Sequence, residues 1–295
     1  MSPATTTTAP LVTGTFAGLS ARLDEERRAG RQVGVVLTMG ALHEGHASLI
    51  RRAATECDVV AVSVFVNPTQ FADPSDLTNY PRTLDADVAL AAAAGADVVF
   101  APPVTEVYPH WPTPPATTVS VRDLVDRWEG ASRPGHFDGV ATVVAKLLSA
   151  AGRCRTYFGE KDFQQLAVVR RVAADLSLPA EVVGCPTLRE PDGLALSSRN
   201  VRLSPDERTA AVSLSRALVA GAEAFGAGAD RAGVEAAMAR VVADQPLVHL
   251  DYAALVDAED LEPADAASAG PLRLLIAATV GPVRLIDNLD PRAGR

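Results

Sequence analysis

The sequence predicts an α/β protein, built on a doubly wound parallel sheet and completed by a smaller C-terminal α+β part. Two observations between residues 33 and 185 carry this. Short apolar, β-branched runs alternate with Ala-rich stretches of helical spacing, the pattern of βαβ units. The run from Asp58 to Val66 is β-branched and apolar throughout rather than alternating, as a strand covered on both faces should be. A third observation is a change of texture after about residue 187, where long Ala-rich segments precede three separate apolar runs.

Val33 to Thr38 reads as the first buried strand. Gly45 to Cys57 follows with Leu49, Ile50 and Ala53 at helical spacing. Asp58 to Val66 is the next strand, broken by Asn67-Pro68. Thr83 to Gly95 is a helix with a Gly stop. Asp97 to Phe100 is a strand closed by Pro102-Pro103, and the stretch to Pro115 is a loop. Asp138 to Ala151 and Lys161 to Leu176 read as helices, with Asp138 a natural N-cap. Arg153 to Phe158 and Glu181 to Cys185 read as strands.

Beyond Pro186 and the Glu190-Pro-Asp-Gly193 turn, Asp206 to Ala227 and Ala232 to Ala243 are helices. Leu250 to Val256, Arg273 to Val280 and Val283 to Ile286 are strands. The expected organisation is therefore a first domain over 1–186, with 1–10 disordered, and a second over 187–295.

Composition narrows the function. A net charge of −9 weighs against general nucleic-acid binding, which needs a basic surface. It leaves room for a small anionic ligand in a locally cationic cleft. No apolar run reaches the ~18 residues of a membrane span. The Thr-rich start lacks the basic and apolar regions of a secretory signal. Cys57, Cys154 and Cys185 show no metal or redox spacing and read as small buried hydrophobes. A cytoplasmic protein is expected.

The chemistry concentrates at strand-to-helix junctions, where open α/β sheets bind ligands. The first is Met39-Gly40-Ala41-Leu42-His43-Glu44-Gly45-His46. A helix N-terminus offers unpaired N–H groups to phosphate, and two histidines three apart share one face. A zinc helix would place its histidines four apart. Two plain surface histidines are the other reading.

Further segments follow in order: Val66-Asn67-Pro68-Thr69-Gln70-Phe71, Tyr80-Pro-Arg-Thr83 with Asp85 and Asp87, Arg133-Pro-Gly-His136-Phe137-Asp138-Gly139, Phe158-Gly159-Glu160-Lys161-Asp162-Phe163-Gln164-Gln165, and Leu188 to Asn200 with Leu196-Ser197-Ser198-Arg199. Lys161 is a cation at a helix start, where the dipole disfavours it. Such local conflicts concentrate at functional sites.

His-x-Gly-His after a first strand resembles the nucleotidylyltransferase superfamily. The fuller string Met39 to His46 resembles the pantothenate synthetase family, as do the VNPxQF, RPxHFxGV and FGEKDxQQ elements. The likeness is strong from about 33 to 205 and weaker through Asp287-Asn288. Leu196 stands where the family commonly has Met, a volume-conserving change.

The resemblance implies a Rossmann-like domain with a C-terminal lid. It also implies an ATP-dependent ligase that adenylates pantoate and joins it to β-alanine. ATP would be held by Met39 to His46, Gly159 to Asp162, Leu188 and Leu196 to Arg199. His43, His46, Lys161 and Arg199 would act on the phosphates, and His46 would also donate a proton. Asn67, Gln70 and Gln165 would orient pantoate or β-alanine. Asp87 would serve Mg²⁺, and Arg133 and His136 would contact carboxylates. A homodimer is implied as well. Two rivals remain at this point: a nucleotidyltransferase that retains the nucleotide in its product, which would not release AMP on addition of β-alanine, and a nucleotide sensor, which would release no pyrophosphate.

Overall fold

The computed structural model describes residues 9–71 and 74–292. Most of the tail expected to be disordered lies outside the described residues. The chain forms two compact units: one of residues 1–159 and 168–185, the other of 160–167 and 186–295.

The first unit carries β1 (Leu11–Thr13), β2 (Val33–Thr38), β3 (Val59–Val64), β4 (Val98–Phe100), β5 (Cys154–Gly159) and β6 (Ala180–Cys185). Its helices are α1 (Phe16–Arg28), α2 (Glu44–Glu56), α3 (Pro74–Asn79), α4 (Leu84–Ala94), α5 (Val104–Val107), α6 (Trp128–Ser132) and α7 (His136–Ala151). The helix α8 (Phe163–Asp175) begins in the second unit and ends in the first.

The six strands form one sheet in the order β1-β4-β3-β2-β5-β6, and every neighbouring pair is parallel. From β2 the chain steps outward to β3 and β4, then returns to lay β5 on the other side of β2. In open α/β sheets ligands bind at such a reversal, beyond the carboxyl ends of the strands. Val36, Val60, Val62 and Val99 are buried in the sheet, with Ala47, Ile50 and Ala53 of α2 packed in the same cluster. Each fully buried aliphatic side chain of the size of Ile50 contributes about 1.5–3 kcal/mol.

Several details of the first unit differ from the sequence reading, the short helices α3 and α6 among them. The pair β1–α1 precedes the expected first strand: Thr15 caps α1, whose Leu19 and Leu23 are buried. β1 has three residues, with Leu11 and Val12 about half exposed, too short to carry a periodic signal. The Pro102–Pro115 loop contains the single turn α5. Asp138 does not cap α7. Gly135, at φ 77°, takes that position, and Asp138 lies inside the first turn.

The second unit carries α9 (Pro205–Ala211), α10 (Ser213–Gly226) and α11 (Arg231–Ala243). Its antiparallel sheet runs in the order β7 (Val248–Asp257), β8 (Leu272–Val280), β9 (Val283–Leu289). Leu214, Leu218, Met238, Leu274 and Ile276 form its core. The segment expected as one helix from Asp206 is two, divided at Val212. No Gly or Pro marks that division, so no breaker residue signals it.

Candidate active site

The turn after β2 is built by its neighbours. Thr38 Oγ1 donates to the Ser63 carbonyl (2.6 Å) and accepts from the Gly40 N–H (3.2 Å), tying β2 to β3. Gly40 and Ala41 then adopt consecutive left-handed conformations, φ 80° and 50°. A side chain at Gly40 would press on Asp87 Oδ2 at 3.0 Å and on Val64 at 3.1 Å. Asp87, on α4 and 2% exposed, accepts from the Ala41 N–H (3.1 Å) with one oxygen and from the Leu42 N–H (2.7 Å) with the other. The Thr83 hydroxyl also reaches this carboxylate at 3.3 Å. The unusual backbone of Ala41 is thus held by a buried acid from another element.

The two histidines cap the helix they open. His43 is the N-cap of α2, and its Nδ1 accepts from the Gly45 N–H (3.1 Å). His46 Nδ1 accepts from the His43 N–H (3.3 Å). The rings lie 4.2 Å apart between centroids. A neutral imidazole that accepts at Nδ1 carries its hydrogen at Nε2. The cap therefore fixes both tautomers and makes each Nε2 a donor.

Beyond β3, the Asn67–Gln70 turn is locked from several sides. Asn67 is 1% exposed. Its Oδ1 accepts from the Tyr108 hydroxyl and the Thr69 hydroxyl, both at 2.9 Å. Its Nδ2 donates to Gln70 Oε1 (2.9 Å) and to the Gly139 carbonyl (3.1 Å). Gln70 Nε2 then faces the Met39 sulfur at 2.8 Å. The Gln70 carbonyl accepts from His136 Nδ1 (2.9 Å). His136 Nε2 must then be an acceptor, and Arg133 Nη1 lies 3.0 Å from it. In this structure Arg133 and His136 buttress the turn.

In the second unit, Lys161 lies in a 3₁₀ turn, Glu160–Asp162, that leads into α8. Its Nζ is 3.6 Å from Asp162. Asn288 Nδ2 donates to the carbonyls of Glu160 (2.9 Å) and Lys161 (2.8 Å), while its Oδ1 accepts from Arg273 Nε (2.7 Å). Arg273 also pairs with Glu160 at 3.0 Å and stacks 4.3 Å over the Phe163 ring. Gln165 lies half-buried on α8, beside buried Gln164.

Ser197 caps a second 3₁₀ turn, Ser198–Arg202, by accepting from the Arg199 N–H (3.2 Å). Ser198 and Arg199 are exposed, and buried Asn200 anchors the turn to the Ala195 carbonyl (3.0 Å). Leu188 and Leu196 are joined by a backbone bond (2.9 Å). Arg189 beside them makes a two-point pair with buried Asp287, at 2.6 and 3.0 Å.

Within the first unit, the structure thus brings together Met39 to His46, Asn67, Gln70 and Asp87. Within the second it organises Glu160 to Asp162 and Ser197 to Arg199. Sequence reasoning missed Tyr108, Arg273 and the role of Asn288, which act through distant contacts. None of the three cysteines forms a disulfide among the described residues. Burial pushes Cys154 up to about 12 and raises Cys57 too, which suits packing rather than reactivity.

A parallel α/β sheet with a helix-opening turn at its switch point places the chain in the class of open α/β proteins that commonly bind phosphate-bearing ligands there. Comparison with known proteins supplies the particular family. The pantoate-beta-alanine ligase model matches residues 11–290, and the chain belongs to that family. It is an amide-forming ligase of pantothenate formation. A pantothenate synthetase of Rubrobacter xylanophilus is 55% identical over 267 residues, 89% of this chain and 92% of that protein. One from Cereibacter sphaeroides is 53% identical over 282 residues, 95% and 99% of the two chains.

Among solved structures, pantothenate synthetase from Thermus thermophilus superposes with a TM-score of 0.88 at 48% identity, covering 95% of this chain and 99% of that one. Pantoate-beta-alanine ligase from Francisella tularensis, solved with beta-gamma ATP and beta-alanine, superposes with a TM-score of 0.77 at 32% identity, covering 97% and 99%.

Proposed function

We propose that this ligase couples amide formation to ATP through a pantoyl-adenylate intermediate. A carboxylate oxygen of pantoate attacks the α-phosphorus, and the bond to the bridging oxygen breaks to release pyrophosphate. The β-alanine amine then attacks the acyl carbon, loses its proton, and AMP departs. Neither step requires a protein nucleophile, so positioning and charge stabilisation suffice. The observation that supports ATP most directly is the pair His43 and His46, each with its donor fixed at Nε2 by the helix cap.

We assign His43, His46, Lys161 and Arg199 to the phosphates, with Ser197 and Ser198 assisting. Met39 to Gly45, Gly159, Glu160, Asp162, Leu188 and Leu196 complete the nucleotide contacts. Gln70 and Gln165 orient pantoate. Asn67, whose four hydrogen-bonding positions are occupied within the protein, serves by holding Gln70. His46 acts as a neutral hydrogen-bond donor: its Nδ1 is engaged by the His43 backbone, so a full proton transfer is not needed in this reading.

Mg²⁺ commonly binds one or two carboxylates together with substrate phosphates. Asp87 fits as a single ligand. Its oxygens offer about four lone-pair positions, and the Ala41, Leu42 and Thr83 donors take three. Among the described residues no group of three His, Cys, Asp or Glu forms a protein-only cage. The ion would supply charge neutralisation on the phosphates. We also propose a homodimer in the cytoplasm. A solution mass of one chain by light scattering would exclude the dimer.

The test is pyrophosphate release. His46→Ala should slow pantoate-dependent release on the order of 10²–10³-fold, with AMP appearing only when β-alanine is supplied. Near wild-type release by this variant would overturn the assignment.

A further inference from the structure

We propose that Tyr108 is a positioning residue for pantoate, acting through Asn67 to fix the orientation of the Gln70 carboxamide. The inference rests on the reading of Gln70 as a pantoate ligand and extends it to a residue outside every motif singled out in the sequence.

The orientation can be followed bond by bond. The Gly139 carbonyl can only accept, so the side of the Asn67 amide facing it at 3.1 Å must be the NH₂. Asn67 Oδ1 then points the other way, onto the Tyr108 hydroxyl at 2.9 Å. The second NH₂ hydrogen of Asn67 goes to Gln70 at 2.9 Å, so that atom must be Oε1. Gln70 Nε2 is then the far end of the relay, donating to the Met39 sulfur at 2.8 Å. A Gln amide turned over would place NH₂ against NH₂.

Tyr108 is suited to this post. It is 3% exposed, and its ring lies 6.3 Å from that of Phe65 at the end of β3. Its hydroxyl is also 3.1 Å from Thr69 Oγ1. Burial raises the phenol above its ordinary range, so it keeps its hydrogen throughout the neutral region. With Tyr108 and Thr69 both donating, Asn67 Oδ1 is saturated and its plane is fixed. Without the phenol, Asn67 Oδ1 keeps only the Thr69 hydroxyl at 2.9 Å and the long Thr69 N–H bond at 3.4 Å, both from one residue, so the amide can tilt about that side and Gln70 tilts with it.

The substitution Tyr108→Phe keeps the ring and removes one hydrogen bond. The expected result is a rise in the KM for pantoate of roughly 2- to 10-fold, the size of one such bond. The KM values for ATP and β-alanine should stay within about twofold, since among the described residues the phenol hydroxyl itself touches only Asn67 and Thr69. The decisive comparison is a double-mutant cycle with Gln70→Ala. If Tyr108 works through Gln70, Tyr108→Phe changes pantoate KM little once Gln70 is Ala.

Equal factors in both backgrounds, an unchanged pantoate KM, or a parallel rise in all three KM values would each overturn the proposal. Gln70→Ala alone separates it from the reading beneath it. If that variant leaves pantoate KM unchanged, the assignment of Gln70 fails. If it raises KM while Tyr108→Phe does not, only the role of Tyr108 fails.

Discussion

Asp87 illustrates how one buried side chain can set the backbone of a binding turn. Its two oxygens accept from Ala41 and Leu42, and so hold the left-handed pair that precedes His43. Asp87→Asn is nearly isosteric but turns one acceptor into a donor, which must then face a backbone N–H. Leaving that N–H unmatched should cost on the order of 1–3 kcal/mol. Denaturant unfolding should show the loss, and hydrogen exchange at Ala41 and Leu42 should rise. Unchanged protection at both amides would show that the turn holds itself. Asp87 looked from the sequence like an acid at a helix start, which the dipole alone would explain. The contact that gives it a role spans 45 residues to Leu42, and no local pattern encodes it.

At the scale of elements, the Asn67–Gln70 turn and α7 meet at a glycine. An added Cβ on Gly139 would lie 2.5 Å from the Thr69 carbonyl oxygen and 2.8 Å from the Gln70 nitrogen, both backbone atoms that cannot swing aside. In an open helix, Gly→Ala would stabilise by up to about 1 kcal/mol. Here Gly139→Ala is expected to lower stability, and to raise pantoate KM more than ATP KM. A variant as stable as the parent, with unchanged kinetics, would show that the turn can retreat.

The elements themselves were largely legible. β2 and β3 are largely apolar and buried along their length, as strands covered on both faces should be, and α2 shows its buried stripe at Ala47, Ile50 and Ala53. β1 was not legible, because three half-exposed residues at a sheet edge carry no period. The motif residues His43, Gln70 and Lys161 stood out because polar groups interrupt apolar runs at strand ends. Tyr108, Arg273 and Asn288 did not, since each earns its place by long-range contact.

At the scale of the molecule, the second unit is discontinuous in sequence. It takes residues 160–167 out of the middle of the chain and joins them to 186–295. We propose a working domain boundary near residue 187, with this excursion as its exception. Asn288 is the clasp: it bonds the Glu160 and Lys161 carbonyls together and is itself held by Arg273. Asn288→Ala should therefore lower kcat more than it lowers global stability, with hydrogen exchange rising around Glu160 to Asp162. A fall in stability of about 1–3 kcal/mol is expected from the two carbonyls left unpaired. Wild-type turnover in that variant would show that the Lys161 turn is self-supporting.

The same clasp sets an order of events during synthesis. Lys161 leaves the ribosome 127 residues ahead of Asn288. At about 5–20 residues per second, roughly 6–25 seconds pass before the clasp exists. The parallel sheet has all of its strands by Cys185, so it can assemble during that interval while the lysine turn still waits. A nascent chain that stalls before β9 would carry a formed sheet and an unfastened lysine, and competence would arrive only with the last strand.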